Sequence, residues 1–88
     1  MKVYNINKDN GIPYGAIYIG RGSPWGNPYV IGVNGSRLEV IARYRAYAER
    51  MLKANPNWLK PLVDADGLVC YCKPEKCHGD VIVNLISK

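Results

Sequence analysis

Gly67-Leu68-Val69-Cys70-Tyr71-Cys72 is the strongest strand signal in the chain, and the rest of the fold is worked out from it. Its residues are apolar almost throughout, which is typical of a central strand buried on both faces of a parallel sheet. Pro74 ends the strand, because proline cannot donate a ladder hydrogen bond. Over residues 80–86, apolar side chains recur at the spacing of a final helix.

Two shorter strands are predicted before this central one. Residues 3–6 alternate in polarity, and residues 16–19 form a β-type run that ends at Gly20. Asn10-Gly11-Ile12-Pro13, between them, has the residue types of a turn. Residues 29–31 are compatible with a short extended piece. The first part of the chain therefore predicts two strands joined by a turn.

A long helix is predicted between these strands and the central one. Ser36 with Glu39 three residues later is the pattern of a capping box, and Asn55-Pro56 should stop the helix at about Ala54. A helical turn follows over residues 57–63. The helix steps its apolar residues by three and four. They are Leu38, Ile41, Tyr44, Ala48, Met51 and Leu52.

Length and composition fit one globular domain. With 88 residues, 48% hydrophobic and 22% charged, we expect a single small α/β domain over residues 1–88, in the order β-β-α-β-α. Its sheet should be short and mainly parallel. No apolar stretch reaches membrane-spanning length, and the N-terminus does not have the pattern of a signal peptide. The expectation is a soluble, cytoplasmic protein with no membrane partner.

The net charge of +5 favours an anionic partner, although it also suits simple solubility. The basic residues are scattered along the chain rather than gathered in one run. A nucleic-acid-binding arm would concentrate them. Charge alone therefore leaves both a small anionic ligand and a nucleic acid as candidate partners.

The segment Gly20-Arg21-Gly22-Ser23-Pro24-Trp25-Gly26-Asn27-Pro28 is the first candidate site. A glycine- and proline-rich loop after a strand is where α/β sheets place ligands. Arg21 offers a planar fork of donors for phosphate or carboxylate, Ser23 and Asn27 add short polar groups, and Trp25 offers a flat face for a base or sugar. The alternative is a rigid structural loop in which Trp25 fills the core and Asn27 caps a turn.

Two arginines of the long helix, Arg37 and Arg45, lie on the same side as Ile41 at 100° per residue. A cation inside or beside an apolar arc usually has an anionic partner, unless its stem packs and its head reaches water. Arg37 also stands in the first turn, where the helix dipole disfavours a cation. Arg45 is the stronger candidate for ligand binding.

The segment Cys70-Tyr71-Cys72-Lys73-Pro74-Glu75-Lys76-Cys77-His78-Gly79-Asp80 is the second candidate site. All three cysteines of the chain fall within it, which argues against a disulfide scaffold. One hypothesis is a catalytic site. Cys77 would be the thiolate, made acidic by the helix N-terminus, His78 its base, and Asp80 would orient the histidine or anchor the helix.

Two other hypotheses stand beside catalysis. Cys70, Cys72, Cys77 and His78 are four residues of the right types for a structural zinc ion, although adjacent ligands at Cys77 and His78 would be geometrically awkward. Alternatively, the thiols simply fill a tight junction between strand and helix, and His78 caps the helix. No organic cofactor is expected on any of the three hypotheses.

The motifs also resemble a known family. Residues 18–28, the helix start at 35–41, the segment Tyr44-Arg45-Ala46-Tyr47 and the terminal Cys-x-Cys…Cys-His-Gly-Asp are similar to the family catalogued as domain of unknown function 4326. That family comprises small bacterial and phage proteins. The resemblance spans most of the chain, and it implies no established activity.

Together these observations predict one cleft at the carboxyl ends of the strands, formed by the 20–28 loop, Arg45 and the turn at 77–80. The expected ligand is a nucleotide, nucleoside or sugar phosphate, with transfer or hydrolysis as the class of any reaction. One alternative is a non-catalytic nucleic-acid-binding or host-interaction module of phage type, which would use tyrosine and tryptophan rings as stacking platforms. The other is the structural zinc domain.

Overall fold

The computed structural model describes residues 1–71 and 77–87. Three strands and three helices follow one another along this part of the chain. They are β1 (Val3–Asn5), β2 (Ala16–Tyr18), α1 (Arg37–Ala54), α2 (Lys60–Val63), β3 (Gly67–Cys70) and α3 (His78–Ile86). The predicted β-β-α-β-α order is confirmed, and α2 is the helical turn expected over residues 57–63.

The three strands form one parallel sheet in the order β1-β3-β2. Leu68 in β3 is the register partner of Val3 on one side and of Ile17 on the other. All four residues of β3 are buried. The prediction of a central, fully buried strand in a parallel sheet is therefore confirmed for residues 67–70. Tyr71 lies beyond the strand and is exposed, and Cys72 lies outside the described residues.

Helix α1 begins at the predicted capping box. The Ser36 hydroxyl accepts the backbone N–H of Glu39 at 3.3 Å, and Glu39 Oε1 accepts the backbone N–H of Ser36 at 3.0 Å. These bonds satisfy backbone donors that have no partner within the helix. The helix ends at Ala54, with Asn55 as its C-cap, as the Asn55-Pro56 pair predicts.

The buried face of α1 matches the predicted one except near the start of the helix. Val40, Tyr44 and Ala48, spaced by four residues, are its buried side chains, whereas Leu38 is 63% exposed. Leu38 precedes Val40 by two residues, about 200° around the helix, so it points away from the buried stripe. The assignment of Leu38 to the apolar face was wrong.

Residues 29–31 do not form a strand. The chain turns at this point: the backbone N–H groups of Val33 and Asn34 donate to the carbonyl of Val30, at 3.1 and 2.8 Å. The Asn34 side chain in turn accepts the N–H of Val30 at 2.9 Å. Because this turn satisfies its own polar groups, the segment is stable without pairing to the sheet.

Helix α3 packs closely on the sheet through Gly79. A Cβ at this position would lie 3.0 Å from Val3 Cγ1 and 3.1 Å from Ile19 Cδ1. Glycine therefore allows the start of α3 to approach the ends of the strands, which brings the 77–80 turn to the predicted edge of the sheet. Within residues 1–71 and 77–87, no helix has the length and apolar character needed to cross a membrane.

Candidate functional site

A cleft of about 190 Å³ opens at the carboxyl ends of β2 and β3. Gly20, Arg21, Asn27 and Tyr29 line it from the loop that follows β2. Three residues of α1 also line it, Arg37, Val40 and Ile41, together with Ile31. The remaining side is formed by Cys70, Tyr71, Cys77 and His78. The structure thus brings both candidate segments to one cleft.

The 20–28 loop has a shape set by its own hydrogen bonds. Ser23 donates to the carbonyl of Gly20 through both its backbone N–H (3.1 Å) and its hydroxyl (2.7 Å). A Cβ on Gly26 would lie 2.7 Å from the same carbonyl, so a larger residue there would force the backbone apart. The glycines of the motif allow the loop to close on itself after β2.

Trp25 anchors this loop to the core. Its indole Nε1–H donates to the carbonyl of Trp58 at 2.8 Å, and its own carbonyl accepts the buried hydroxyl of Tyr44 at 2.7 Å. Neither Trp25 nor Ser23 lines the cleft. Their contacts match the structural alternative given for the loop, in which the tryptophan packs into the core.

Arg21 and Asn27 both line the cleft and also brace its wall. The Arg21 guanidinium donates to the carbonyls of Asn27 at 2.7 Å and Tyr29 at 2.9 Å. The Asn27 side-chain oxygen accepts the backbone N–H of Tyr29 at 2.9 Å. Arginine carries five N–H donors, and these bonds engage two of them. Arg21 can therefore hold the loop and contact an anion with the same planar group.

Of the two helical arginines, the structure places Arg37 at the cleft and Arg45 elsewhere. Arg45 Nη2 donates to Asn84 Oδ1 of α3 at 3.1 Å, and the residue lines a separate groove between α1 and α3. The expectation that Arg45 faces the cleft was wrong, because α3 packs against that part of α1. Arg37, two turns earlier, is half-buried and lines the cleft.

His78 is the first residue of α3 and is buried. Its Nε2 lies 2.7 Å from the carbonyl oxygen of Ile19. A carbonyl only accepts, so Nε2 carries the proton and the neutral ring keeps Nδ1 as an acceptor. The ring also meets the edge of Tyr44 at a centroid distance of 4.9 Å. Burial lowers the pKa of His78, which keeps the imidazole neutral at physiological pH.

Cys77 is the N-cap residue of α3, and its side chain is almost fully buried. Its Sγ lies 3.3 Å from Sγ of Cys70. The hydrogen bond with Cys70 and the burial raise the pKa of the Cys77 thiol well above its ordinary value. The expectation that the helix N-terminus makes this thiol acidic was wrong, because the helix N-terminal field is outweighed by burial against a second thiol.

Asp80 serves as a helix anchor. Its carboxylate accepts the backbone N–H of Cys77 at 3.2 Å, as the third residue of a capping box does. The Nε2 atom of His78 is oriented by the Ile19 carbonyl. Of the two roles considered for Asp80, the structure shows that of anchoring α3.

The zinc hypothesis involves a residue that lies outside the described residues, Cys72. Among residues 1–71 and 77–87, no three histidine, cysteine or acidic side chains are grouped as metal ligands. The sulfurs of Cys70 and Cys77 are close in space, at 3.3 Å. His78, however, directs Nε2 at the Ile19 carbonyl rather than at these sulfurs.

Two aromatic residues of the cleft were not selected as site residues from the sequence, Tyr29 and Tyr71. Tyr71 follows directly on β3, and its ring meets that of Tyr18 edge-on at 5.9 Å. Its place at the carboxyl end of a parallel strand was a signal that could have identified it. Tyr29 gave no such signal, because it reaches the cleft only through the fold of the preceding loop.

Similarity to known proteins identifies the family of the chain. The model of the family named Domain of unknown function (DUF4326) matches residues 4–88. The chain belongs to this family. It is also similar to a protein of Enterobacteria phage T4, the "Uncharacterized 12.4 kDa protein in nrdA-td intergenic region". The two are 35% identical over 74 residues, which is 82% of this chain and 68% of the phage protein. No solved structure matches the chain.

Proposed function

We propose that the cleft binds a small anionic ligand of the nucleotide, nucleoside or sugar phosphate class. The observation that carries this proposal is the convergence of Arg21 and Arg37, from separate elements, on the same cleft. Guanidinium groups match the geometry of phosphate oxygens and bind them through paired hydrogen bonds. A pair of arginines inside one cleft favours a small ligand over a long nucleic acid, which is bound along a continuous basic surface.

The remaining walls favour a ligand that carries an aromatic ring. Tyr29 and Tyr71 line the cleft together with the aliphatic side chains of Val40 and Ile41. Aromatic and aliphatic side chains bind the flat faces of bases by stacking and by burial of apolar surface. Within the proposed class, a nucleotide therefore fits better than a sugar phosphate, which offers no apolar ring.

Position supports a ligand of this class, and size sets an upper limit on it. Ligands of open α/β sheets bind beyond the carboxyl ends of the strands, where this cleft lies. Its volume of about 190 Å³ is below the roughly 300–1,000 Å³ of pockets that hold drug-sized molecules. A dinucleotide would extend far outside it.

The proposal is one of binding, without a reaction at the Cys77–His78 pair. A nucleophilic cysteine acts as its thiolate, and the raised pKa of Cys77 makes that form scarce. The buried Nε2 of His78 is engaged by a backbone carbonyl. We also propose that the protein acts in the cytoplasm, since three cysteines clustered within eight residues suit a reducing compartment.

Calorimetric titration with adenosine 5′-monophosphate, adenosine, ribose 5-phosphate and inorganic phosphate tests the proposal. We expect the nucleotide to bind most tightly. Arg37→Gln should weaken its binding by about 10- to 100-fold, the value of one charged hydrogen-bonding group. Arg50→Gln, on an exposed part of the same helix, is the matched control and should bind as the parent protein does.

Two results would contradict the proposal. In one, none of the four compounds binds at millimolar concentration. In the other, a single-stranded oligonucleotide binds, and Arg37→Gln and Arg50→Gln weaken that binding equally. The second result would support the nucleic-acid-binding alternative.

A further inference from the structure

The thiols of Cys70 and Cys77 form a close pair that the proposed ligand binding does not use. Cys70 is the last residue of β3, and Cys77 is the N-cap of α3. Their sulfurs are 3.3 Å apart, and both residues are reduced. A disulfide needs an S–S distance of about 2.0 Å, so the sulfurs must approach by a little over an ångström.

We propose that Cys70 and Cys77 are a redox modification site, which a small-molecule disulfide oxidises to a reversible intramolecular disulfide. Both residues line the cleft, so the reagent would approach the pair from that side. Because the side chains are only 1% and 2% exposed, the first exchange should be slow. The bond would join the end of the central strand to the start of the last helix.

The reaction is an ordinary thiol–disulfide exchange. One of the two cysteines, as its thiolate, attacks a sulfur of oxidised glutathione, forms a mixed disulfide and releases one glutathione thiolate. The second cysteine then attacks the protein sulfur of that mixed disulfide, forms the Cys70–Cys77 bond and releases the second glutathione. The two protein thiols lose two protons and two electrons in total, and the reagent gains them as two glutathione thiols.

The neighbouring thiol favours the second step over attack on the mixed disulfide by free glutathione. Because the two sulfurs are already in contact, the mixed disulfide on either cysteine is attacked within the protein at a high effective concentration. The raised pKa of Cys77 slows the first step, since it keeps the thiolate fraction low near neutral pH. Oxidation should therefore accelerate as the pH rises from 7 to 9.

The test uses the full chain equilibrated in buffers of oxidised and reduced glutathione. After acid quenching and alkylation, intact mass should show the loss of two alkylatable thiols with no glutathione attached. Peptide mapping should then identify a Cys70–Cys77 link. Reduced glutathione in excess should restore all three thiols, and Cys72→Ser should form the same link to the same extent.

Several outcomes would overturn the proposal. They are a link that contains Cys72, a stable glutathione adduct on Cys70 or Cys77, and retention of three thiols in the most oxidising buffer. In the Cys70→Ser and Cys77→Ser proteins, the remaining cysteine of the pair should either form a mixed disulfide with glutathione or stay reduced. A Cys72→Ser protein that fails to form the link would show that Cys70 and Cys77 are not sufficient for the disulfide. This test does not depend on whether the Cys70→Ser and Cys77→Ser proteins fold.

Discussion

The roles of Trp25 and His78 depend on partners far away in the chain. Trp25 donates to a carbonyl 33 residues later, and His78 bonds to a carbonyl 59 residues earlier. The sequence identified both as chemically unusual, but it contained no sign that backbone carbonyls would engage them. Cys77 is a similar case, because its acidity depends on burial against Cys70, which only the packing of α3 determines.

The neutral, buried state of His78 predicts a loss of stability on mild acidification. Its pKa is lowered in the folded protein, so the unfolded chain binds more protons as the pH falls below the ordinary value of 6.5. The free energy of unfolding should therefore decrease from pH 7.5 to 5.5, with a slope of at most about 1.4 kcal/mol per pH unit for one proton. Urea unfolding at several pH values measures it.

His78→Gln supplies the control, because His78 is the one histidine of the sequence. Glutamine keeps an N–H donor but does not titrate, so its unfolding free energy should change less over the same interval. Glu39 does not interfere, since its pKa is lowered from 4.5 and its effect lies at more acidic pH. Parallel pH profiles for the two proteins would show that His78 is not responsible.

At the scale of elements, the helix ends were predictable, and which arginine of the helix faces the cleft was not. The capping box and the Asn55-Pro56 stop act through neighbouring residues, so sequence alone located both ends of α1. Which face is buried depends on what packs against it. Helix α3 packs against the side that carries Arg45, and the stripe through Tyr44 enters the core. Arg37 rather than Arg45 therefore lines the cleft.

The cap of α1 makes a measurable contribution to stability. Ser36→Ala removes the hydroxyl that accepts the Glu39 backbone N–H, and should lower the free energy of unfolding by about 1 kcal/mol. Ser36→Asp, which retains an accepting oxygen, should keep most of that stability. Urea unfolding of both variants tests this, and an alanine variant as stable as the parent would refute it. Nucleotide binding should be the same in both.

For the whole molecule, the sequence predicted one cleft at the carboxyl edge of a parallel sheet, and the structure brings the two motifs together there. This was predictable because β2 and β3 both end at chemically unusual segments, and parallel strands end at the same edge. Which side chains line the cleft in detail was not predictable. Tyr29 reaches it through a loop whose course is set by Arg21 and Asn27, a shape that residue types alone do not specify.

The most direct test of ligand binding at this cleft is a ¹⁵N–¹H NMR titration of the reduced protein with adenosine 5′-monophosphate. We expect saturable shifts at amides around the cleft, above all those of Gly20, Arg21, Ile41, Tyr71 and His78. Amides near Arg50, on an exposed part of α1, should not move. Saturable shifts gathered at any other surface, or no shifts at millimolar nucleotide, would contradict the account.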